Sequence, residues 1–181
     1  MKLLLASASP RRKELLATLG EFEIVPSRFE EAAEGSAEEV VRINARGKAQ
    51  EVLARYPDCR VLGADTVVAL GGMILGKPKD SEDAKRMLRL LSGRVHSVFT
   101  GVCIIDAHGS MEKVVESKVL FKTLSENLIE EYVLSGTPLD KAGAYGIQDG
   151  IVVDSIEGSY TNVMGLPMEA VSEMLNIKER V

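Results

Sequence analysis

Apolar and polar positions along this chain switch between a helical and a strand-like period, and the switches mark its elements. Leu3–Ala6 is a short, wholly apolar run of the kind that forms a buried strand. Pro10–Leu19 follows at helical spacing, with Ser9 as N-cap, Pro10 at N1 and Gly20 at C′. Phe22–Val25 is expected to be a second short strand. Ser36-Ala-Glu-Glu39 spells a capping box that opens a helix running to about Arg55. Val61–Leu70 reads as a strand apolar on both faces, Gly71-Gly72 as a tight turn, and Met73–Leu75 as the return. Ser81–Leu91 is helical, and Val95–Ile105 and Met111–Phe121 are long strands joined around His108-Gly109. A helix from about Glu126 to Leu134 leads into a glycine-rich loop, Gly136–Gly150. The strand Ile151–Ile156 and a final helix, Leu166–Leu175, complete the chain. Strands and helices alternate, but hairpins intervene. The pattern predicts an α/β fold, with a mixed twisted central sheet flanked by helices rather than a doubly wound parallel one. No repeat, low-complexity tract or linker interrupts it, so residues 1–181 read as one domain.

Composition narrows the function. The N-terminal Lys, apolar run and Ala-Ser-Ala step imitate an export signal, but Leu3–Ala6 is well short of the roughly 7–15 residues a signal core needs. No stretch is long and apolar enough to span a bilayer. A net charge of −5 argues against a general nucleic-acid binder, so any grip on phosphate must be local. Cys59 and Cys103 are far apart, with neither disulfide-framework nor metal-ligand spacing, and a reducing cytoplasm is expected.

The candidate chemistry starts with a helix whose charges run the wrong way. Arg11, Arg12 and Lys13 open the first helix, where each misplaced cation costs up to about 0.3–1 kcal/mol unless an anion binds there. Ser7 and Ser9 add hydroxyl donors at the same turn. A solvated basic turn relieved by Glu14 would explain the pattern equally well.

Asp65 lies inside the doubly apolar strand, where a lone carboxylate is expensive without a cation, a metal or converging donors. A two-residue turn at Gly71-Gly72 places Thr66 opposite Lys77, and so brings Lys77 near Asp65. Lys48 shares a helical stripe with Val41, Ala45 and Val52, and its stem should point inward. Gly71–Lys77 fits the first seven places of a phosphate-binding P-loop, yet Pro78 stands where Ser or Thr must bind magnesium, and that reading is rejected. Glu30 and Glu31 follow a strand end and suit a hard divalent cation shared with substrate phosphates.

The glycines of Lys141-Ala-Gly-Ala-Tyr145-Gly-Ile-Gln148 let backbone approach a ligand. Tyr145 offers a ring for stacking, and Gln148 carries the donors and acceptor that match the uracil or thymine edge. His96 and His108 lack the spaced partners of a metal pair.

Assembled, these segments resemble the Maf family of nucleoside triphosphate pyrophosphatases. The matching stretches are Ser7-Ala-Ser-Pro-Arg-Arg12, Lys48-Ala49, Gly63-Ala-Asp-Thr-Val-Val68, Gly76-Lys-Pro78, Leu91-Ser-Gly-Arg94 with His96, Lys141–Gln148, and Gly165-Leu-Pro167. They run in family order over nearly the whole chain. The resemblance implies two lobes around a cleft and hydrolysis of a nucleoside triphosphate to monophosphate and pyrophosphate. It implies Asp65 as the base, and Arg11, Thr66 and Gln148 as substrate-selecting positions. Ser7, Arg12, Lys48, Lys77, Lys141 and Tyr145 complete the expected substrate site, with Mg2+ or another divalent cation held by Glu30 or Glu31. The form of Lys141–Gln148 is similar to the branch acting on dTTP and UTP rather than the branch acting on 7-methyl-GTP. A homodimer is compatible with the resemblance. The family name derives from an effect on septum formation, so a nucleotide sensor without turnover is the rival reading; it needs the basic clamp but no general base.

Overall fold

The computed structural model describes residues 1–176. Among them seven strands form one sheet: β1 (Leu3–Leu5), β2 (Glu23–Ile24), β3 (Arg60–Leu70), β4 (Met73–Leu75), β5 (Val95–Asp106), β6 (Gly109–Phe121) and β7 (Val153–Glu157). Their order is β2-β1-β3-β5-β6-β7, with β4 paired to β3 off that path. β1 lies parallel to β2 and β3, and the other pairings are antiparallel, so the expected mixed sheet is present. Six helices pack on it: α1 (Pro10–Ala17), α2 (Ala37–Arg55), α3 (Ser81–Leu91), α4 (Glu126–Leu134), α5 (Tyr160–Met164) and α6 (Met168–Met174).

Local chemistry sets the boundaries, and in three places it departs from the sequence reading. Ser9 caps α1 as expected, but Thr18 is its C-cap and its hydroxyl bonds the Leu15 carbonyl at 2.7 Å. Gly20 therefore lies beyond the C′ position. The glycine-rich loop is not featureless, because it contains three short 3-10 turns at Thr137–Asp140, Ala142–Ala144 and Ile147–Asp149. The expected final helix begins later, at Met168, and is preceded by an extra short helix, α5, capped by Ser159 and closed by Gly165. Pro167, which cannot donate a backbone hydrogen bond, separates the two.

The site is positioned by a gap in one edge of β3. β1 covers Arg60–Leu62 and β4 covers Val68–Leu70 on the same edge, leaving Gly63–Val67 without a strand partner there. β5 runs along the other edge without interruption from Val61 to Ala69. A buried β-strand thus presents its middle to an opening while both of its ends stay clamped. Across this middle lies α2, and two glycines set how closely it approaches. A Cβ on Gly63 would sit 2.3 Å from the Ala45 carbonyl oxygen, and one on Gly101 would sit 2.3 Å from that of Val41. Gly63 precedes Asp65 by two residues on the same face, and Gly101 is its direct partner on β5.

Two apolar regions flank the gap. On one side Leu5, Leu16, Leu62 and Leu166 pack together, and Leu4 and Val61 of the sheet pack against Ala45 and Ala49 of α2. On the other, Val68 and Leu75 join Met87, Leu88 and Leu91 of α3, Ile129 and Tyr132 of α4, and Phe121 and Tyr145. The buried α3 positions 84, 87, 88 and 91 form the stripe that a helix must present to a core. The cleft lies between these regions.

Candidate functional site

At the centre of the cleft Asp65 is held by two side chains one turn apart on α2. Lys48 Nζ donates to Oδ1 at 2.8 Å, and Asn44 Nδ2 donates to Oδ2 at 2.9 Å. Asp65 and Lys48 are only 7% and 9% exposed, so the pair occupies a site where an unpartnered charge would be prohibitive. Lys48 is shared, since its ammonium also meets Glu31 at 2.6 Å. Burial works to raise the Glu31 pKa, but the Lys48 hydrogen bond and charge, with Lys77 and Arg12, outweigh it and hold the carboxyl below its usual range. Both acids are exposed, but only Glu31 lines the cleft and meets Lys48, so the two are not equivalent.

The other face of β3 carries a second polar knot. Arg12 Nε donates to the Gly165 carbonyl at 2.8 Å, and its terminal nitrogens reach Thr66 Oγ1 at 3.0 Å and Ser7 Oγ at 3.3 Å. Thr66 is also bonded to Thr100 across the ladder at 2.9 Å. Gly165 has a φ of 117°, which side chains rarely tolerate, and this conformation places its carbonyl at the guanidinium. Desolvation lowers the Arg12 pKa, an effect that the Asp65 carboxylate partly offsets. The basic turn of α1 is therefore not simply solvated. Arg12 faces inward onto neutral acceptors, while Arg11 stands beside Asp140 at 3.7 Å.

The cavity measures about 330 Å³ and is lined by Arg11, Arg12, Glu31, Lys48, Asp65, Thr66, Lys77, Lys141, Tyr145 and Gln148. A second hollow of about 320 Å³ continues past Ser7, Ser9 and the start of α1. With the exception of Glu30, every residue singled out for the site meets in these two hollows. Lys77 and Asp65 line the same cavity although their strand register points them to opposite faces, because β4 ends at Leu75 and frees Lys77 from the pleat. The same segment is a hairpin return, with no helix after Lys77 until Ser81, as rejection of a P-loop requires.

Tyr145 departs from the expected stacking role. Its ring packs edge-on against Phe121 and His96, with centroids 4.7 Å and 5.4 Å away, and its hydroxyl meets His96 Nε2 at 2.8 Å. The ring anchors the 141–148 segment to the core, leaving Gln148 exposed at the cleft. Lys141 is bonded to the Thr137 carbonyl and to Asp140, and so braces the same segment from within.

Asn44, Thr100, Gly101 and Asn162 are structural participants that the sequence reading did not single out. Asn44 had a signal, since it shares the α2 stripe with Lys48 at a spacing of four. Asn162, wholly buried, donates to the Val98 carbonyl and to Ser117 and fixes α5 against the sheet. No group of three His, Cys, Asp or Glu side chains suited to a metal ion occurs among the described residues. Nor is any helix among them long and apolar enough to cross a membrane.

Comparison with known proteins identifies the family. The family model described as Maf-like protein matches residues 2–177. The chain is 49% identical to the dTTP/UTP pyrophosphatase of Thermococcus gammatolerans, over 93% of this chain and 92% of that one. It is 49% identical to the dTTP/UTP pyrophosphatase of Moorella thermoacetica, over 97% and 94%. The protein of the same name from Salmonella typhimurium is 50% identical over 96% and 91%.

Proposed function

The chain belongs to the Maf family, and on that premise we propose that it hydrolyses nucleoside triphosphates, dTTP and UTP foremost, to the monophosphate and pyrophosphate. The observation that carries this reading is a buried carboxylate, Asp65, opening into a cleft whose other charged side chains are mostly cations. A sensor needs the cations to hold phosphates; it does not need a carboxylate among them, with the electrostatic cost this brings to anion binding.

In the proposed reaction a water attacks the α-phosphorus and pyrophosphate leaves. Asp65 accepts the proton of that water, its carboxylate held in one orientation by Lys48 and Asn44. Charge grows on the phosphoryl oxygens and on the departing pyrophosphate. Lys77, and Arg11 in place of its 3.7 Å pairing with Asp140, are the side chains positioned to stabilise it. Arg12 acts differently, by holding Thr66 and the Gly165 turn in place as cleft walls. Gln148 is the side chain available to read the base edge.

A divalent cation fits this donor set in a limited way. The chain contributes Glu31 at the rim, and Mg2+ characteristically takes one or two carboxylates, keeping its remaining positions for water and substrate phosphates. Such an ion would neutralise phosphate charge; Glu31 would hold it, and Lys48 would be released toward Asp65 alone. Cys59 and Cys103, both free thiols, suit a reducing cytoplasm.

Single-turnover hydrolysis in water labelled with heavy oxygen tests the reading. With Mg2+ and dTTP or UTP, the label should appear in the monophosphate and not in pyrophosphate. Label in pyrophosphate or orthophosphate would mean attack at another phosphorus. Tight nucleotide binding with no turnover would return the protein to the sensor reading.

A further inference from the structure

Asn44 closes a ring of contacts that none of the expected site residues explains. Its side-chain oxygen accepts from the Ala32 N–H at 2.7 Å, and its amide nitrogen donates to the Ala32 carbonyl at 3.0 Å and to Asp65 at 2.9 Å. Because the oxygen faces an N–H and the nitrogen faces two oxygens, the amide has only one satisfactory orientation. The side chain therefore pairs both backbone groups of Ala32, as a neighbouring strand would, in a segment that has no secondary structure of its own. One turn later Lys48 repeats the arrangement with charges, bridging Glu31 and Asp65. Two α2 side chains thus grip Asp65 on one side and the 31–32 segment on the other.

We infer that Asn44 is a positioning residue for hydrolysis, setting the orientation of Asp65 and the placement of the Glu31 segment through one buried amide. This rests on the function proposed above. Asn44 is 1% exposed and does not line the cavity, so it acts through Asp65 and Ala32 and not on the substrate. The amide suits both tasks. A carboxylate at this position would face Asp65 without a donor, and an aliphatic side chain would leave Ala32 and Asp65 each short of a partner.

Asn44→Ala and Asn44→Asp separate this role from simple support of the fold. For Asn44→Ala we expect kcat to fall about 10- to 100-fold, the size of loss that follows a small misplacement of a reacting group, with KM for dTTP changing less than about threefold. Asn44→Asp keeps the volume and the acceptor for the Ala32 N–H, but sets two carboxyl groups against each other among Lys48, Glu31 and Arg12. Its kcat/KM profile should show the acidic limb moved to higher pH by about one unit or more. Thermal melts and nucleotide binding identify folded variants; should Asn44→Ala not fold, Asn44→Asp alone carries the decision. Variants that lose only melting temperature, with kcat and the acidic limb at wild-type values, would overturn the positioning role while leaving the proposed activity intact. A wild-type protein without turnover would overturn both, and Asp65→Asn run in parallel shows which carboxylate the activity needs.

Discussion

The two walls of the cleft are built on different terms. On the wall formed by β3, α2 and the start of α1, the groups nearest the opening are already committed: Asp65 to Lys48 and Asn44, Lys48 to Glu31, and Arg12 to Ser7, Thr66 and Gly165. On the opposite wall Lys77 and Gln148 are exposed and make no side-chain hydrogen bond or ion pair among the described residues. The first wall is preorganised, so its dipoles and charges need not rearrange when a reaction begins. The second retains donors that remain open to a ligand. The contrast divides labour within one cavity: the fixed wall suits chemistry, where a small displacement is expensive, and the open wall suits recognition, where adaptation is cheap.

Replacing the central group of the fixed wall should have the largest effect. Asp65→Asn removes the proton acceptor while keeping the shape, and kcat should fall about 10²- to 10⁴-fold with nucleotide affinity largely retained, as measured by single-turnover assay and calorimetry. Normal turnover would mean that the wall is structural and that the base lies elsewhere. Arg12→Lys should come next. A single ammonium cannot reach the Gly165 carbonyl, Ser7 and Thr66 together, so stability should fall by about 1–3 kcal/mol in a denaturant titration. An unchanged midpoint with weakened dTTP binding would instead make Arg12 a substrate ligand, and would blur the division between the walls.

Much of this contrast was legible before any coordinates, but unevenly. Asp65 announced itself because a carboxylate in a doubly apolar strand demands a partner, and the α2 stripe indicated that Lys48 points inward. What a stripe cannot give is distance. The approach of α2 to β3 depends on Gly63 and Gly101, and Gly101 lies 36 positions along the chain from Asp65. The difference between Glu30 and Glu31 is equally hidden, because it shows in the Lys48–Glu31 pair, a contact between a helix and an unstructured segment. The pattern of the loop does not distinguish a Tyr145 ring offered to a ligand from one packed in the core. Its burial is decided by Phe121 and His96, which reach it from the end of the β5–β6 hairpin. The glycines mark the loop 136–150, but its 3-10 turns carry too few residues to leave a period in the sequence.

The open wall is tied at its back, and that tie should be visible in the pH dependence of stability. His96 is 3% exposed, and burial pushes its pKa down to about 4, against 6.5 for an ordinary histidine. The unfolded chain therefore binds a proton that the folded chain does not between about pH 6.5 and pH 4. Stability must fall as pH is lowered through that window, by up to about 2–3 kcal/mol. Carboxylates held below their usual range, such as Glu112 and Asp106, lose their contribution only at lower pH, as they protonate. Unfolding midpoints at pH 7 and pH 5 should differ in the wild type, and differ less in His96→Phe. Equal slopes in both would mean that the Tyr145 anchor is not where this proton is felt.

The smallest expected effect is the one that tests the open wall most directly. Gln148→Ala removes an exposed side chain that makes no hydrogen bond or ion pair among the described residues, so stability should change by no more than about 0.5 kcal/mol. If the amide reads the base, however, its loss leaves the uracil or thymine edge with fewer partners. The kcat/KM for dTTP and UTP should then fall about 10-fold, a cost of about 1.4 kcal/mol, while poorer substrates change little. The ranking of nucleotides is therefore the informative readout, because a general loss of activity would follow equally from disturbing Lys141 or the Tyr145 anchor. A preserved ranking in Gln148→Ala would move base selection across the cleft to Arg11 and Thr66, and make the fixed wall responsible for recognition as well as chemistry.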